Sequence, residues 1–190
     1  MDDKQAKDDE RDVRAARDGD ARALESLLDR HQARVFRVLR LMGILLDDRD
    51  DVAQEVFIRI FRHLGSYDAR RRFDSWVYRI TVNAAHDHRC RHAGRVHLDA
   101  DDPGVARQIH EEAEPSGGPD AGLAAAESSR ELMGLLESLS ARERAIFILC
   151  DLEERTPRQV ARDLAISAIT VRRHLGRARR HLRRLVDEKV

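Results

Sequence analysis

Wherever this chain carries an apolar pattern, the pattern returns every third or fourth residue, and no segment alternates with the period of two that a half-buried strand requires. That single feature restricts the chain to helices. Leu24, Leu27, Leu28, Val35, Val38, Leu39 and Met42 form one stripe and predict a helix over 21–42, capped by Asp20 after Gly19. Val52, Val56, Phe57, Ile60, Phe61 and Leu64 predict a second over 50–63. Trp76, Val77, Ile80 and Ala84 predict a third over 74–92. With a short helix near 9–17, these three can enclose one core.

Between residues 93 and 122 the periodicity fails, and Gly94, Pro103, Gly104, Pro115, Gly117, Gly118 and Pro119 stand among many acids. The expectation there is a flexible linker. Beyond it Leu132, Leu135, Leu136 and Leu139 mark a helix over 123–139. Ser140 with Glu143 forms a capping box that opens a helix to about residue 152. Thr156 with Gln159 forms another, with Pro157 at the first helical position, where its missing N–H costs nothing. That helix is short, ending near Leu164, and Ser167 caps the last one. A short helix, a tight connector and a longer helix have helix-turn-helix spacing. The expected fold is therefore all-α: a helical domain over 1–93, an acidic Gly/Pro linker over 94–122, and a helix-turn-helix domain over 123–190.

Charge says what these helices could face. Acids and bases number 35 each, so the net charge is zero, yet the two signs are segregated. The span 70–95 carries seven arginines against two aspartates, and 158–184 carries nine against one. The span 98–131 carries nine acids against two bases. Two basic segments around an acidic one suit two polyanion-facing surfaces and a solvated connector. Arginine also suits bidentate phosphate and guanine contacts, although a GC-rich genome would enrich it too. Cys90 and Cys150 have no framework spacing, which fits a reducing cytosol. No signal peptide and no bilayer-length apolar run is present, so a soluble cytoplasmic protein is expected, without membrane insertion. No nucleophile–base pair, phosphate loop or paired carboxylates point to an enzyme, and no cofactor is implied.

In the last helix Val171, Leu175, Ala178, Leu182 and Leu185 are spaced four, three, four and three, and every arginine falls off that stripe. The helix can pack and still present a basic side. A cationic face is often merely solvated. As the second helix of a helix-turn-helix, however, its first half would enter a major groove. Arg172, Arg173 and Arg177 would then reach base edges, with Arg180 and its neighbours nearer the phosphates. Ser167 and Thr170 would leave backbone N–H groups for a phosphate.

The N-terminal half narrows the class. "DDVAQEVF" (51–57 preceded by Asp50) puts Asp51, Gln54 and Glu55 on an acidic, amide-bearing face, which repels DNA and suits a basic protein partner. An arginine-rich loop with Arg70, Arg71 and Arg72 leads into "FDSWVYRITVNAAHDHRCR", where bases and aromatics interleave as single-stranded nucleic acid favours. These two motifs, with "SLSARERAIFILCDLEERTPRQVARDLAISAITVRRHLGRARRHL", resemble bacterial sigma factors of the extracytoplasmic-function class, over roughly residues 12–185.

The resemblance implies that Asp51, Gln54 and Glu55 contact the clamp coiled coil of the RNA polymerase beta-prime subunit. It implies that Tyr67, Arg70, Arg71 and Arg72 read a base extruded from the minus-ten element, with Ser75, Arg79 and Asn83 facing the same DNA. Ser167, Thr170, Arg172, Arg173, Arg177 and Arg180 would read the minus-thirty-five element as duplex. Extruding a base costs about a few kcal/mol, so binding the opened strand drives melting without chemistry. The implied partners are core polymerase, promoter DNA and an anti-sigma factor. The chain departs from the family's pattern at three places: Glu154 and Arg155 stand in a stretch where glycine is frequent, Ile169 stands where glycine often precedes the Thr170–Val171 pair, and the loop arginines Arg70 to Arg72 are more basic than usual.

Several residues admit plainer readings. Trp76, Phe57 and Phe61 fall on apolar stripes and are expected in the core rather than under bases. Asn83 could bridge within the bundle, and Glu55 could pair with Arg59 one turn on. His86, His88, Cys90 and His92 alternate, so His86 and Cys90 share one helix face while His88 and His92 share another. Two diverging pairs converge poorly on a metal, and no metal site is expected. A response regulator with a similar helix-turn-helix is the alternative, but it needs a βα receiver domain and this N-terminal half shows no strand pattern. A nucleic-acid scaffold that ignores polymerase is a third reading.

Overall fold

Apolar stripes of this period bury only when helices pack on one another. The computed structural model describes residues 3–96 and 119–188, and no strand occurs among the described residues. The first unit comprises α1 (Asp3–Arg17), α2 (Ala21–Leu41), α3 (Leu46–His63), a 3-10 turn at Leu64–Ser66, and α4 (Phe73–Val96). The second comprises α5 (Pro119–Glu137), α6 (Ala141–Phe147), a π-helical turn at Ile148–Leu152, α7 (Pro157–Leu164) and α8 (Ala168–Asp187). The expected mobile linker falls largely on residues 97–118, which lie outside the described residues.

The first core is built as the stripes dictate. Leu27, Val35, Val38 and Leu39 of α2 meet Val52, Val56 and Ile60 of α3 and Trp76, Val77 and Ala84 of α4. Phe61 is a correction: it is 63% exposed, not core. One residue past buried Ile60 is about 100° round a helix, and that carries its ring off the stripe. Phe57 is half-buried against the core, as expected. In the second unit Leu136, Ile146, Leu149, Val160, Val171, Leu175, Ala178 and Leu182 close around one another.

The caps form where side chains could accept. Asp20 accepts from the backbone N–H groups of Arg22 and Ala23, and Ser140 and Thr156 each complete a capping box. The starts of α1 and α3 came earlier than expected, because neither is marked by a cap in sequence. Leu45, at the N-cap of α3, makes no side-chain cap bond, and Asp47 and Asp48 in the first turn favour that helix end instead. The helix after Ser140 also ends differently, turning π-helical at Ile148; such single turns of wider helix are usually local departures inside an α-helix.

Candidate nucleic-acid interface

The helix-turn-helix rests on local backbone chemistry. Ala165 takes the left-handed conformation at φ 55, which ends α7, and the N–H of Ile166 closes back on the carbonyl of Ala161 at 3.0 Å. Ser167 then caps α8, accepting from the N–H of Thr170 at 3.0 Å, and its hydroxyl lies 2.8 Å from the Thr170 hydroxyl. Glu154, where glycine was noted as missing, also has positive φ, at 52. An ordinary side chain there carries strain that glycine would avoid.

On α8 the buried stripe of Val171, Leu175, Ala178 and Leu182 turns Arg173, Arg177 and Arg180 outward together. Arg172 is exposed as well, but about 100° round the helix from Arg173, so it leaves that face. Arg179 is committed elsewhere: its Nε donates to Asp151 at 3.0 Å, tying α8 to the π-helical turn.

The expected minus-ten residues divide into two groups. Arg70, Arg71, Arg72 and Asn83 are exposed, and Arg79 is half-buried. Arg70 grips Asp68 through Nε at 3.0 Å and Nη2 at 3.2 Å, and Arg72 donates to Asp74 at 3.3 Å. Tyr67 and Ser75 are placed otherwise than expected. Tyr67 is 4% exposed, edge-on to Phe73 at 5.3 Å, and its hydroxyl donates to the Arg71 carbonyl. Burial pushes that hydroxyl up to about 12, so it stays a donor. Tyr67 therefore braces the loop from inside, because the rings of Phe73 and Trp76 at the start of α4 supply an apolar seat.

Ser75 is buried between the two units. Its hydroxyl donates to Asp74 at 3.2 Å and accepts from Arg155 at 2.7 Å. Asp74, 2% exposed, takes Arg155 at 2.8 Å and Arg34 at 3.2 Å, while Arg155 also holds Asp163 at 2.8 Å and Arg34 reaches Glu153. Burial raises the Asp74 carboxyl, but Arg155, Arg34 and Arg72 outweigh it and hold it below the ordinary carboxylate range. The Tyr78 hydroxyl donates to the Ala145 carbonyl at 2.9 Å across the same contact. Beside this network lies a cleft of about 1160 Å³, lined by Arg34, Arg37, Arg70, Arg71, Arg72 and Arg79 from the first unit and Arg155, Arg162 and Ser167 from the second.

Asp51 and Gln54 project from α3 into solvent. Glu55 is half-buried and already paired, with Arg59 and with Arg91 at 3.1 Å. Its desolvation raises the carboxyl, but the bonds from Arg91 and Arg59 prevail and lower it. The plainer reading of Glu55 thus holds, and Arg91 of α4 was not foreseen. Exposed Ile58 and Phe61 lie on the same side of α3 as Gln54. Sequence periodicity had assigned Phe61 inward and so missed this apolar extension.

In the histidine tract, the Cys90 sulfur lies 3.8 Å from the His86 ring nitrogens, while His88 turns to Asp48 at 3.3 Å. The side chain of His92 lies outside the described residues. Among the described residues no group of three or more histidine, cysteine or acidic side chains could hold a metal ion, and no helix is long and apolar enough to cross a membrane.

Comparison with known proteins adds to this geometry. The family profile "Sigma-70 region 2" matches residues 27–95 and "Sigma-70, region 4" matches 129–182, which together take in more than half of the chain. The ECF RNA polymerase sigma factor SigE of Mycolicibacterium smegmatis is 32% identical over 178 residues, covering 87% of this chain; the chain spans 63% of that relative's length. The RNA polymerase sigma factor CnrH of Cupriavidus metallidurans is 28% identical over 173 residues, covering 90% of this chain and 91% of CnrH. The solved structure of CnrH in complex with the cytosolic domain of CnrY shares the fold at a TM-score of 0.68 and 24% identity, covering 96% of this chain and 99% of that one. The sigma factor RpoE of Bartonella quintana, solved with the anti-sigma factor NepR, shares it at 0.63 and 18%, covering 86% and 96%.

Proposed function

The chain belongs to the extracytoplasmic-function class of the sigma-70 family, and on that premise we propose how its surfaces divide the work of promoter recognition. Sigma factors are initiation factors rather than enzymes, and this one works in the cytoplasm on core RNA polymerase. Residues 1–93 dock on the polymerase clamp and take the minus-ten element. Residues 123–190 take the minus-thirty-five element, and 94–122 connect them. The observation that carries this reading is the pair of separate arginine faces, Arg70–Arg72 on the first unit and Arg173, Arg177 and Arg180 on the second. Asp51 and Gln54 supply a polar docking edge on α3 with Glu55 behind it, and Ile58 and Phe61 add apolar area.

Ser75 is covered by Arg155 while the units are joined, so they part before Ser75, Arg79 and Asn83 meet the opened strand. An anti-sigma factor is a further expected partner, by likeness to CnrH and RpoE.

Replacing Asp51 and Gln54 together with alanine is expected to weaken core binding at moderate salt by about tenfold or more, the scale of one or two lost interface hot spots. Titration of labelled core measures it. Unchanged affinity would remove α3 from the docking surface, and failure of the wild-type chain to bind core would sink the sigma reading. Arg173→Ala is expected to relax base preference in duplex selection by about 1–3 kcal/mol at one position. A uniform loss across all sequences would reassign Arg173 to phosphate contact.

A further inference from the structure

The region 2 family match begins at residue 27, so α1 lies before that match. Yet α1 is firmly seated. Asp9 bonds Arg30 at 2.5 Å and His31 at 3.0 Å, Asp12 bonds Arg30, and Val13 is buried. These bonds fix α1 along α2, and the backbone turn at Gly19, with φ 97, returns the chain to the Asp20 cap.

From the end of this anchored helix Arg17 reaches across to the turn that opens the arginine loop. Its Nε donates to the Leu64 carbonyl at 3.0 Å, and Nη2 donates to the Tyr67 carbonyl. The guanidinium also lies 5.8 Å from the centre of the Tyr67 ring. The Leu64 carbonyl also accepts from the Tyr67 N–H at 3.2 Å, so Arg17 adds a second bond to that turn and holds the Tyr67 carbonyl just beyond it. Tyr67 carries the constraint onward, because its hydroxyl bonds the Arg71 carbonyl and its ring packs 5.2 Å from Trp76. The Arg71 N–H closes on Asp68 at 2.9 Å. A continuous set of bonds thus runs from α1 through Arg17 and Tyr67 to the backbone that carries Arg70, Arg71 and Arg72.

We infer that Arg17 is a positioning residue for the minus-ten loop: through it, α1 presets the loop shape that selects the extruded base. The inference rests on the sigma reading above. A guanidinium fork suits this task because it spans two carbonyls at fixed geometry, whereas a lysine reaches only one. A loop already in its binding shape spends less of its affinity on ordering, and discriminates more sharply between bases that fit and bases that do not.

The test uses holoenzyme assembled from the full chain and core polymerase. It selects from a short single-stranded DNA pool with randomised positions, and the bound strands are sequenced. Arg17→Ala is expected to lower the preference at the extruded base about tenfold, the factor carried by one lost charge-assisted hydrogen bond. Core affinity and duplex binding through α8 stay at wild-type values. The emission of Trp76, the chain's single tryptophan, shifts as the Tyr67 ring loosens against it. Arg17→Lys keeps the charge over the ring and serves where the alanine variant does not fold; it is expected to lose several-fold in preference for want of the fork.

If Arg17 is merely structural, both variants melt earlier while base preference stays intact, and that result overturns the inference. If wild-type holoenzyme itself selects no base, the sigma reading falls and takes the inference with it.

Discussion

Asp74→Ala is expected to lower the stability of the joined chain by about 3 kcal/mol, the lower end of what removing one partner from a buried ion pair costs. Asp74 is 2% exposed and faces Arg34, Arg72 and Arg155. Without it those guanidinium groups crowd one another with less countercharge. The loss stays at the lower end because Arg155 keeps Asp163 and Arg34 keeps Glu153. For a chain of this length the change corresponds to a melting temperature lower by roughly 6–12 °C. Small-angle scattering should show the units separating, since Arg155 bridges them through Asp74 and Ser75. A variant that melts and scatters like wild type would show that the network does not hold the contact.

The same carboxylate sets a pH window. Asp74 is held below the ordinary value, since its three arginines outweigh the upward push of burial. A carboxyl that is more acidic in the folded state adds stability above its unfolded pKa of about 3.9, and loses it as pH falls through the lower folded value. The contact is therefore expected at full strength at neutral pH and loosened only below about pH 4.

Arg144→Met is expected to act in the opposite sense and raise stability by about 1–3 kcal/mol. The Arg144 side chain is fully buried, and its Nε donates to the Leu136 carbonyl at 2.5 Å, but Nη1 and Nη2 have no hydrogen-bond partner among the described residues. It presses against Gly43, where a Cβ would stand 2.5 Å from Nη1 and where φ of 78 already favours glycine. Burial, and then the neighbouring Arg89, push the guanidinium down to about 10. A base with a folded pKa below its unfolded one costs stability at every pH beneath the folded value, and the cost fades as pH rises above about 10. A shift of that size is worth about 3 kcal/mol. Methionine removes the charge while filling similar space, and leaves the Leu136 carbonyl short of one donor, at a cost of about 1 kcal/mol. Thermal unfolding at neutral and alkaline pH measures it: the variant's advantage should shrink above pH 10. If the variant were less stable at neutral pH, Arg144 would have a compensation that its bonds do not reveal.

These two residues oppose each other across one interface. Asp74 holds the units together, and Arg144 makes their junction costly near Gly43. An interface balanced in this way suits the proposed parting of the units before promoter DNA is engaged. Arg144→Met is expected to tighten closure and slow promoter opening at wild-type core affinity.

Much of this was legible in the chain itself. Helix identity followed from stripes such as Val171, Leu175, Ala178 and Leu182, because a helix puts residues three and four apart on one side whatever surrounds it. The caps at Asp20, Ser140, Thr156 and Ser167 were readable because each side chain satisfies a donor within three residues. The outward turn of Arg173, Arg177 and Arg180 followed from the same stripe. Phe61 was misplaced because periodicity locates a face only to within a residue or so, and one step on a helix separates core from solvent; Tyr67 was assigned to DNA by resemblance, while its burial depends on Phe73 and Trp76 packing around it.

Other features depend on residues far apart in sequence. Arg155 and Asp74 stand 81 positions apart, Arg17 and Tyr67 stand 50 apart, and Gly43 meets an arginine from the other unit. Nothing local marks such pairs, since an arginine that will be buried reads like any other in a chain with 35 basic residues. The sequence alone determined the helices, their caps and their basic faces, all of which rest on contacts within a few residues. Only the tertiary structure decided which charges are spent inside the protein and which remain for a partner, because that depends on which helices meet.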